Sequence, residues 1–247
     1  MNYQTPSYLV PFVLSGTVAV FAAVLLGVQR AVKQAGWPAN ERRQAVGGVA
    51  VLLAAWCLAA VYLTWSGFYR GTSDRLPTIQ YGVLIPIVVG VALYWKWGAV
   101  RRVIEAVPQE WIVGVQLYRA LGVIFLVLYA GGLLPGFFAL PAGAGDVAVG
   151  LLAPAVGIAY AHRSRNAAGL VRAWNLLGIG DLIVALGTGF LTSASRFQMV
   201  AFDAPNNLIS AFPLALIPVY LVPLSILLHL ASLKKLQDEA RNLSATR

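Results

Sequence analysis

The sequence predicts an all-α integral membrane protein, a bundle of seven transmembrane helices. Of the 247 residues, 59% are hydrophobic and 11% are charged. Soluble domains contain about 25% charged residues, and a single soluble core of this size could not bury so much apolar surface. Seven stretches reach the roughly 20 apolar residues that a spanning helix needs. They cover residues 8–28, 45–66, 79–97, 111–134, 140–162, 170–192 and 208–233, with no soluble domain between them.

The first three spans are bounded by turns and by tryptophans. No basic segment precedes the first span, which favours a retained helix over a signal peptide. Gly36-Trp37-Pro38 separates it from the second span, and Leu76-Pro77 precedes the third. Tryptophan is enriched at membrane interfaces, and five tryptophans lie at predicted helix ends: Trp37, Trp65, Trp95, Trp97 and Trp111.

The fourth, fifth and sixth spans each contain one ionisable residue: Arg119, Asp146 and Asp181. Such side chains usually face the interior of a helix bundle. Each lies on a helix face that also carries small or polar residues at helical spacing. Small residues allow helices to approach closely. Gln116 shares the stripe of Arg119, and Asn175 shares that of Asp181. We therefore expect a polar site where these three helices meet.

The predicted depths of the three charges differ. Arg119 and Asp181 each lie 11 residues beyond the start of their helices, or about 16 Å along a helix. This places the two side chains at one level, where they can form an ion pair. Leu140-Pro141 begins the predicted fifth span, so Asp146 lies about 9 Å from the outer end. The sequence thus predicts an unpaired Asp146 carboxylate.

The sequence Gly-x-Gly-Asp occurs twice, as Gly143-Ala144-Gly145-Asp146 and as Gly178-Ile179-Gly180-Asp181. These segments lie on helices that cross in opposite directions, as inverted repeats of transporters do. They also resemble the Gly-x-Gly-Asp signature of intramembrane aspartyl proteases of the presenilin and prepilin-peptidase type. Phe212-Pro213-Leu214-Ala215-Leu216 is similar to the Pro-Ala-Leu motif of presenilins. The resemblance implies Asp146 and Asp181 as a catalytic pair that activates water.

The seventh span contains three prolines and a tyrosine. Pro213, Pro218 and Pro223 each remove a backbone donor and clash with the preceding turn. They predict a kinked helix whose freed carbonyl groups face protein or water. Such a helix is suited to gating, although a static kink filled by packing is the alternative. Tyr220 lies between these prolines as a candidate ligand contact.

Basic residues predict the orientation. With the N-terminus outside, 14 of the 18 lysines and arginines lie on the cytoplasmic side, as the positive-inside rule requires. The net charge of +9 is spread over separate loops and tails. It therefore indicates membrane sorting rather than binding of nucleic acid. The predicted location is the cell inner membrane.

The leading functional hypothesis is binding and translocation of a small solute, proton or cation through a polar cavity formed by the fourth to seventh helices. The alternatives are an accessory or assembly protein with structural buried charges, alone or with an oligomeric or membrane-protein partner, and an aspartyl protease. The sequence predicts no cofactor and no metal site. Cys57 is the only cysteine, and the two histidines, His162 and His229, lie at predicted cytoplasmic helix ends. No lysine lies in the middle of the seventh span, which excludes a retinal Schiff base.

Overall fold

The structure, a computed structural model, describes residues 5–72, 74 and 76–245, leaving aside the side chains of residues 243 and 245. All regular structure in this part of the chain is helical. We number the helices in chain order, and α4 is the only short one among them. They are α1 (Leu9–Gln34), α2 (Ala39–Trp65), α3 (Ile79–Lys96), α4 (Gly98–Ala106), α5 (Gln109–Ala130), α6 (Gly136–Ala161), α7 (Ala167–Thr192) and α8 (Ile217–Leu221 continued by Val222–Ala245).

The seven long helices are long and apolar enough to cross a membrane, by length and composition. Large apolar side chains cover their outer faces: Val51 is 70% exposed and Leu58 69% exposed. Water would penalise such a surface, whereas lipid would not. The helices thus support the predicted multi-pass membrane bundle. Of the seven, α8 is the most buried and α3 the least buried.

Close contacts at glycines fix the directions of the helices. Gly150 of α6 lies against the backbone of Ala120 in α5, and Gly157 lies against that of Glu110. Along the contact, residue numbers increase in α6 while they decrease in α5, so the two helices are antiparallel. We call the end of the bundle where α1, α6 and α8 begin the amino-terminal face. The opposite end is the carboxy-terminal face.

Helix α5 changes its winding before the buried arginine. It is α-helical over Gln109–Gly114, a 3-10 helix over Val115–Gly122 and α-helical again over Val123–Ala130. A 3-10 helix rises about 2.0 Å per residue, against about 1.5 Å in an α-helix. The 3-10 segment therefore moves Arg119 further toward the amino-terminal face than a regular helix would.

Helix α6 begins at Gly136 rather than at the predicted residue 140. Pro135 precedes it, and Pro141 lies inside it instead of at its start. Asp146 is consequently ten residues, or about 15 Å, from the amino-terminal end of its helix. Asp181 is about 16 Å from the corresponding end of α7, at Thr192. The two carboxylates thus lie at nearly the same depth, and the predicted offset is wrong.

Helix α8 begins later and ends later than the predicted seventh span. Pro213 precedes it, in the segment after the short 3-10 helix Leu208–Ser210. Pro218 lies in the π-helical turn Ile217–Leu221, and Pro223 is the second residue of the α-helix that follows. The predicted place of Pro213 inside the helix is therefore wrong. Helix α8 packs against α3, α5 and α7.

Candidate functional site

Arg119 is the centre of a buried polar cluster between α5, α6, α7 and α8. Its Nε donates to Oδ1 of Asp146 over 2.8 Å, and its Nη2 lies 2.8 Å from the same oxygen. Nη2 also donates to Oδ2 of Asp181. Nη1 donates to the carbonyl oxygen of Gly178 at 3.3 Å and contacts Nε2 of His229 at 3.1 Å. A guanidinium has five N–H groups, and four of them hydrogen-bond here.

The two carboxylates are less enclosed than the arginine that joins them. The side chain of Arg119 is 1% exposed, against 9% for Asp146 and 12% for Asp181. Glycines make room for both acids: Gly122 lies against the Asp146 side chain, and Gly145 against Oδ1 of Asp181. A methyl group at either glycine would overlap a carboxylate. Gly122 and Gly145 are therefore required by space.

The contacts of His229 determine which of its ring nitrogens carries the hydrogen. A guanidinium can only donate hydrogen bonds, so Nε2 of His229 accepts from Arg119 and carries no hydrogen. Nδ1 then carries the hydrogen and donates to Oδ1 of Asn175 over 2.8 Å. The ring is fully buried and lies 4.8 Å from that of Trp174, centroid to centroid. His229 is thus a neutral imidazole with a defined tautomer in this cluster.

A chain of polar side chains continues from His229 toward the carboxy-terminal face. Asn175 donates to Oγ of Ser232 over 2.7 Å and to the Val171 carbonyl oxygen over 2.8 Å. Gln109, the first residue of α5, donates to the same Ser232 Oγ over 2.5 Å. The polar cluster therefore extends from the middle of the bundle to the end at which α5 begins.

The cluster holds more negative than positive charge. Arg119 contributes one positive charge, Asp146 and Asp181 can each contribute one negative charge, and His229 is neutral. If both carboxylates were ionised, the site would hold a net charge of −1. An uncompensated buried charge is costly. The arrangement is therefore electrically balanced when one carboxylate carries a proton or when a monovalent cation is added.

A small cavity of about 30 Å³ lies beside Arg119, opposite the polar chain that starts at His229. Apolar residues toward the amino-terminal face line it, among them Leu121, Leu182 and Ile217. Its polar lining residues lie on α5, α6 and α8: Tyr118, Arg119, Asp146 and Ser225. At its edge, the hydroxyl of Tyr118 lies 2.6 Å from that of Ser225. A water molecule needs about 10–15 Å³, so this cavity has room for about two. Ligand pockets for organic molecules measure about 300–1,000 Å³.

Three groups of predicted site residues lie elsewhere. Gln116 is fully buried, and its side-chain amide has no hydrogen-bond partner among the described residues. Tyr220 contacts α2: its hydroxyl lies 3.5 Å from the Leu53 carbonyl oxygen, and its ring packs on Trp56. Of the predicted gating prolines, Pro213 precedes α8, and Pro218 and Pro223 lie within its first two turns. Arg119, Asp146, Asp181 and Asn175 are brought together, whereas these residues are not part of their hydrogen-bonded cluster.

The sequence interpretation missed His229, Ser232 and Gln109. His229 was placed at a helix end because the predicted span stopped at residue 233, whereas α8 continues to Ala245. Ser225, His229 and Ser232 are spaced four and three residues apart, which puts them on one helix face. This polar stripe is the signal that indicates their position. The prediction that Asp146 is unpaired is also wrong, because Arg119 contacts it.

The two Gly-x-Gly-Asp segments meet in the structure. Asp181 lies against Gly145 of the other segment, and both aspartates bind Arg119. An aspartyl protease needs two carboxylates that share a proton and activate a water. Here a guanidinium bridges the two carboxylates. The resemblance to proteases therefore extends to the meeting of the motifs but not to the arrangement of the acids.

Comparison with known proteins gives one family. The model of the family described as Domain of unknown function (DUF8737) matches residues 76–237. That range includes α3 to α7 and most of α8, and with them every residue of the polar cluster. No curated protein matches the chain. No solved structure matches it either.

Proposed function

The chain belongs to the DUF8737 family, and from its buried cluster we propose that it binds a proton at Asp146 and Asp181 and moves it across the membrane. The unequal charge of the cluster is the observation that carries this proposal. One arginine faces two carboxylates, while the same arginine keeps His229 neutral. A proton on either acid balances the site.

The size of the cavity supports a proton over an organic solute. About 30 Å³ beside Arg119 and Asp146 admits water but no metabolite. Proton binding joins a hydronium ion to a carboxylate and gives a carboxylic acid and water. Release on the other side reverses the same step, so no further reactant is needed. Asp181, the more exposed acid, is the proposed acceptor.

The proposed orientation is N-terminus outside and C-terminus in the cytoplasm, in the cell inner membrane. Arg101 and Arg102 of α4, together with Lys234 and Lys235 of α8, belong to the end of the bundle that this orientation makes cytoplasmic. Positive charge beside spans is retained on the cytoplasmic side. The polar chain through Asn175, Ser232 and Gln109 would then lead to the cytoplasm.

Proton flux into proteoliposomes tests this function. Vesicles with a trapped pH-sensitive dye receive a membrane potential, negative inside, from a potassium gradient and valinomycin. We expect wild-type protein to acidify the interior faster than protein-free vesicles do, and Asp181→Asn to reduce the rate to that of protein-free vesicles. Asp181→Glu, which keeps a carboxylate, should retain part of the flux.

Asp203→Asn is the matched control, because Asp203 is exposed in the segment between α7 and α8. It should conduct like the wild type. Equal rates for wild type, Asp181→Asn and Asp203→Asn would contradict the proposal. Size-exclusion profiles of all variants establish that equal amounts of folded protein were reconstituted.

A structural role is the second candidate, and the dense pairing of Arg119 favours it. Its guanidinium makes four hydrogen bonds, and these contacts join four helices. As an accessory or assembly protein, the chain would need the cluster only to fix how the helices pack. In that case no variant of the cluster changes proton flux, although several lower the thermal stability.

A further inference from the structure

The polar cluster has different surroundings on its two sides. Toward the carboxy-terminal face, Asn175, Ser232 and Gln109 continue the hydrogen bonds from His229. Toward the amino-terminal face, the small cavity follows directly. The apolar part of its lining lies on the amino-terminal side of the cluster, because these residues follow Arg119 in α5, follow Asp181 in α7 and precede His229 in α8. They are Leu121, Gly122, Leu182, Ile217, Leu221 and Val222.

Water would reach the cluster more easily from one side than from the other. Polar side chains hold ordered water inside proteins, whereas small apolar cavities stay dry. The cavity has the volume for about two waters. Its polar lining groups, those of Tyr118, Arg119, Asp146 and Ser225, already hydrogen-bond to one another or to the backbone, so they hold water weakly. A dry gap of this kind interrupts any water chain between the carboxylates and the amino-terminal face.

We propose that this cavity is a hydrophobic gate, closed in the structure, that controls proton access to Asp146 and Asp181 from the amino-terminal side. The proposal rests on the proton function proposed above and adds its regulation. When the gate is dry, no water links the carboxylates to the amino-terminal side. When water fills it, the waters beside Asp146 form the first part of a chain toward that side. Hydrophobic constrictions in channels open and close by this wetting.

The start of α8 provides a physical reason for such a gate to move. Ile217 and Leu221 line the cavity and are the first and last residues of the π-helical turn. π-Helical turns are rare and are found frequently at functional sites. At the edge of the cavity, the Tyr118 hydroxyl contacts both the Leu221 carbonyl oxygen, at 3.3 Å, and Ser225. A shift of this turn would change the width of the cavity directly.

Two substitutions with opposite effects test the gate. Leu182→Asn places an amide in the cavity lining with the same number and branching of side-chain heavy atoms, so it should hold water and increase proton flux severalfold. Val222→Ile adds one methylene group to the cavity, so it should lower the flux and leave the melting temperature equal or higher. The measurement is the proteoliposome assay described above, with the melting temperature determined in detergent.

Ile183→Asn is the matched control. Ile183 follows Leu182 but is 63% exposed on the outside of the bundle, so its substitution introduces the same amide away from the cavity. It should leave the flux of folded protein unchanged. In Leu182→Asn with Asp181→Asn, the increase in flux should disappear, because water in the gate leads only to the carboxylates.

The outcomes separate the two proposals. If Leu182→Asn and Val222→Ile both conduct like the wild type while Asp181→Asn abolishes flux, the gate is wrong and the proton function stands. If no flux depends on Asp181, both are wrong. Should Leu182→Asn fail to fold, Val222→Ile still decides, because an unchanged flux with a filled cavity overturns the gate.

Discussion

At the scale of single residues, the stability of the cluster depends on the balance of positive and negative charge rather than on the number of ion pairs. Arg119 compensates only one of its two acids at a time. Removing one acid leaves a balanced pair, whereas removing the arginine leaves two like charges close together. The three charged residues therefore differ in what their loss does to the bundle, even though all belong to the same network.

We accordingly expect Arg119→Gln to lower the stability of the protein far more than Asp181→Asn does. Loss of one partner of a buried ion pair costs about 3–5 kcal/mol in soluble proteins, and Arg119→Gln leaves two uncompensated acids. Asp181→Asn should cost about 1 kcal/mol, the usual value of one hydrogen bond. Melting temperatures in detergent measure both effects.

A variant that carries both substitutions gives a second test of this prediction. Adding Asp181→Asn to Arg119→Gln should restore part of the lost stability, because it removes one of the two acids left without a partner. Arg196→Gln, an exposed residue after α7, is the control and should change stability by less than about 0.5 kcal/mol. Additive losses in the double variant would show that the charges do not interact.

At the scale of helices, glycine positions determine whether the acids can meet. In the two Gly-x-Gly-Asp segments, Gly145 lies directly against the Asp181 carboxylate, whereas the equivalent Gly180 has open space around its Cα. The same motif thus places one glycine in the helix contact and the other on the outside. The motif alone does not distinguish them, because each glycine directly precedes its aspartate.

These two glycines provide a matched pair of substitutions. Gly145→Ala places a methyl group on the Asp181 carboxylate, so we expect it to lower the melting temperature and the proton flux. Gly180→Ala meets no atom, so it should be neutral or stabilising by up to about 1 kcal/mol, the difference in helix propensity. Equal effects of the two substitutions would contradict the described contact of α6 with α7.

The sequence predicts the number and kind of the helices well, because length and hydrophobicity decide them locally. It also identifies Arg119, Asp146, Asp181 and Asn175, since polar residues in apolar spans are unusual. It does not predict their depths, because a proline inside α6 resembles a helix start and the 3-10 segment of α5 leaves no local signal. Those two features move Asp146 and Arg119 into contact. His229 was missed because charged residues continue α8 past its apolar part.

At the scale of the whole molecule, seven apolar helices leave the charged ends on two faces. The charged helix α4 and the charged end of α8 meet at the carboxy-terminal face, where Lys235 donates to the Glu105 carbonyl oxygen over 2.8 Å. The amino-terminal face includes the segment between α7 and α8, in which Phe202 is 67% exposed. The asymmetry of charge between the faces favours a single orientation in the membrane.

Labelling of single cysteines tests that orientation. In a Cys57→Ala background, Asp203→Cys should react with an impermeant maleimide in intact cells, because residue 203 lies on the proposed outer side. Arg165→Cys, between α6 and α7, should react only after the cells are permeabilised. Both native residues are exposed, so accessibility to the reagent depends on the side of the membrane. The reverse pattern would contradict the proposed orientation.

The burial of α8 has a consequence for biosynthesis. Of the seven long helices, α8 leaves the ribosome last, yet it is the most buried and supplies His229 and Ser232 to the interior. The earlier helices therefore enter the membrane with Arg119 lacking its imidazole partner and with a groove where α8 will pack. The polar cluster can therefore form completely only after α8 has entered the membrane.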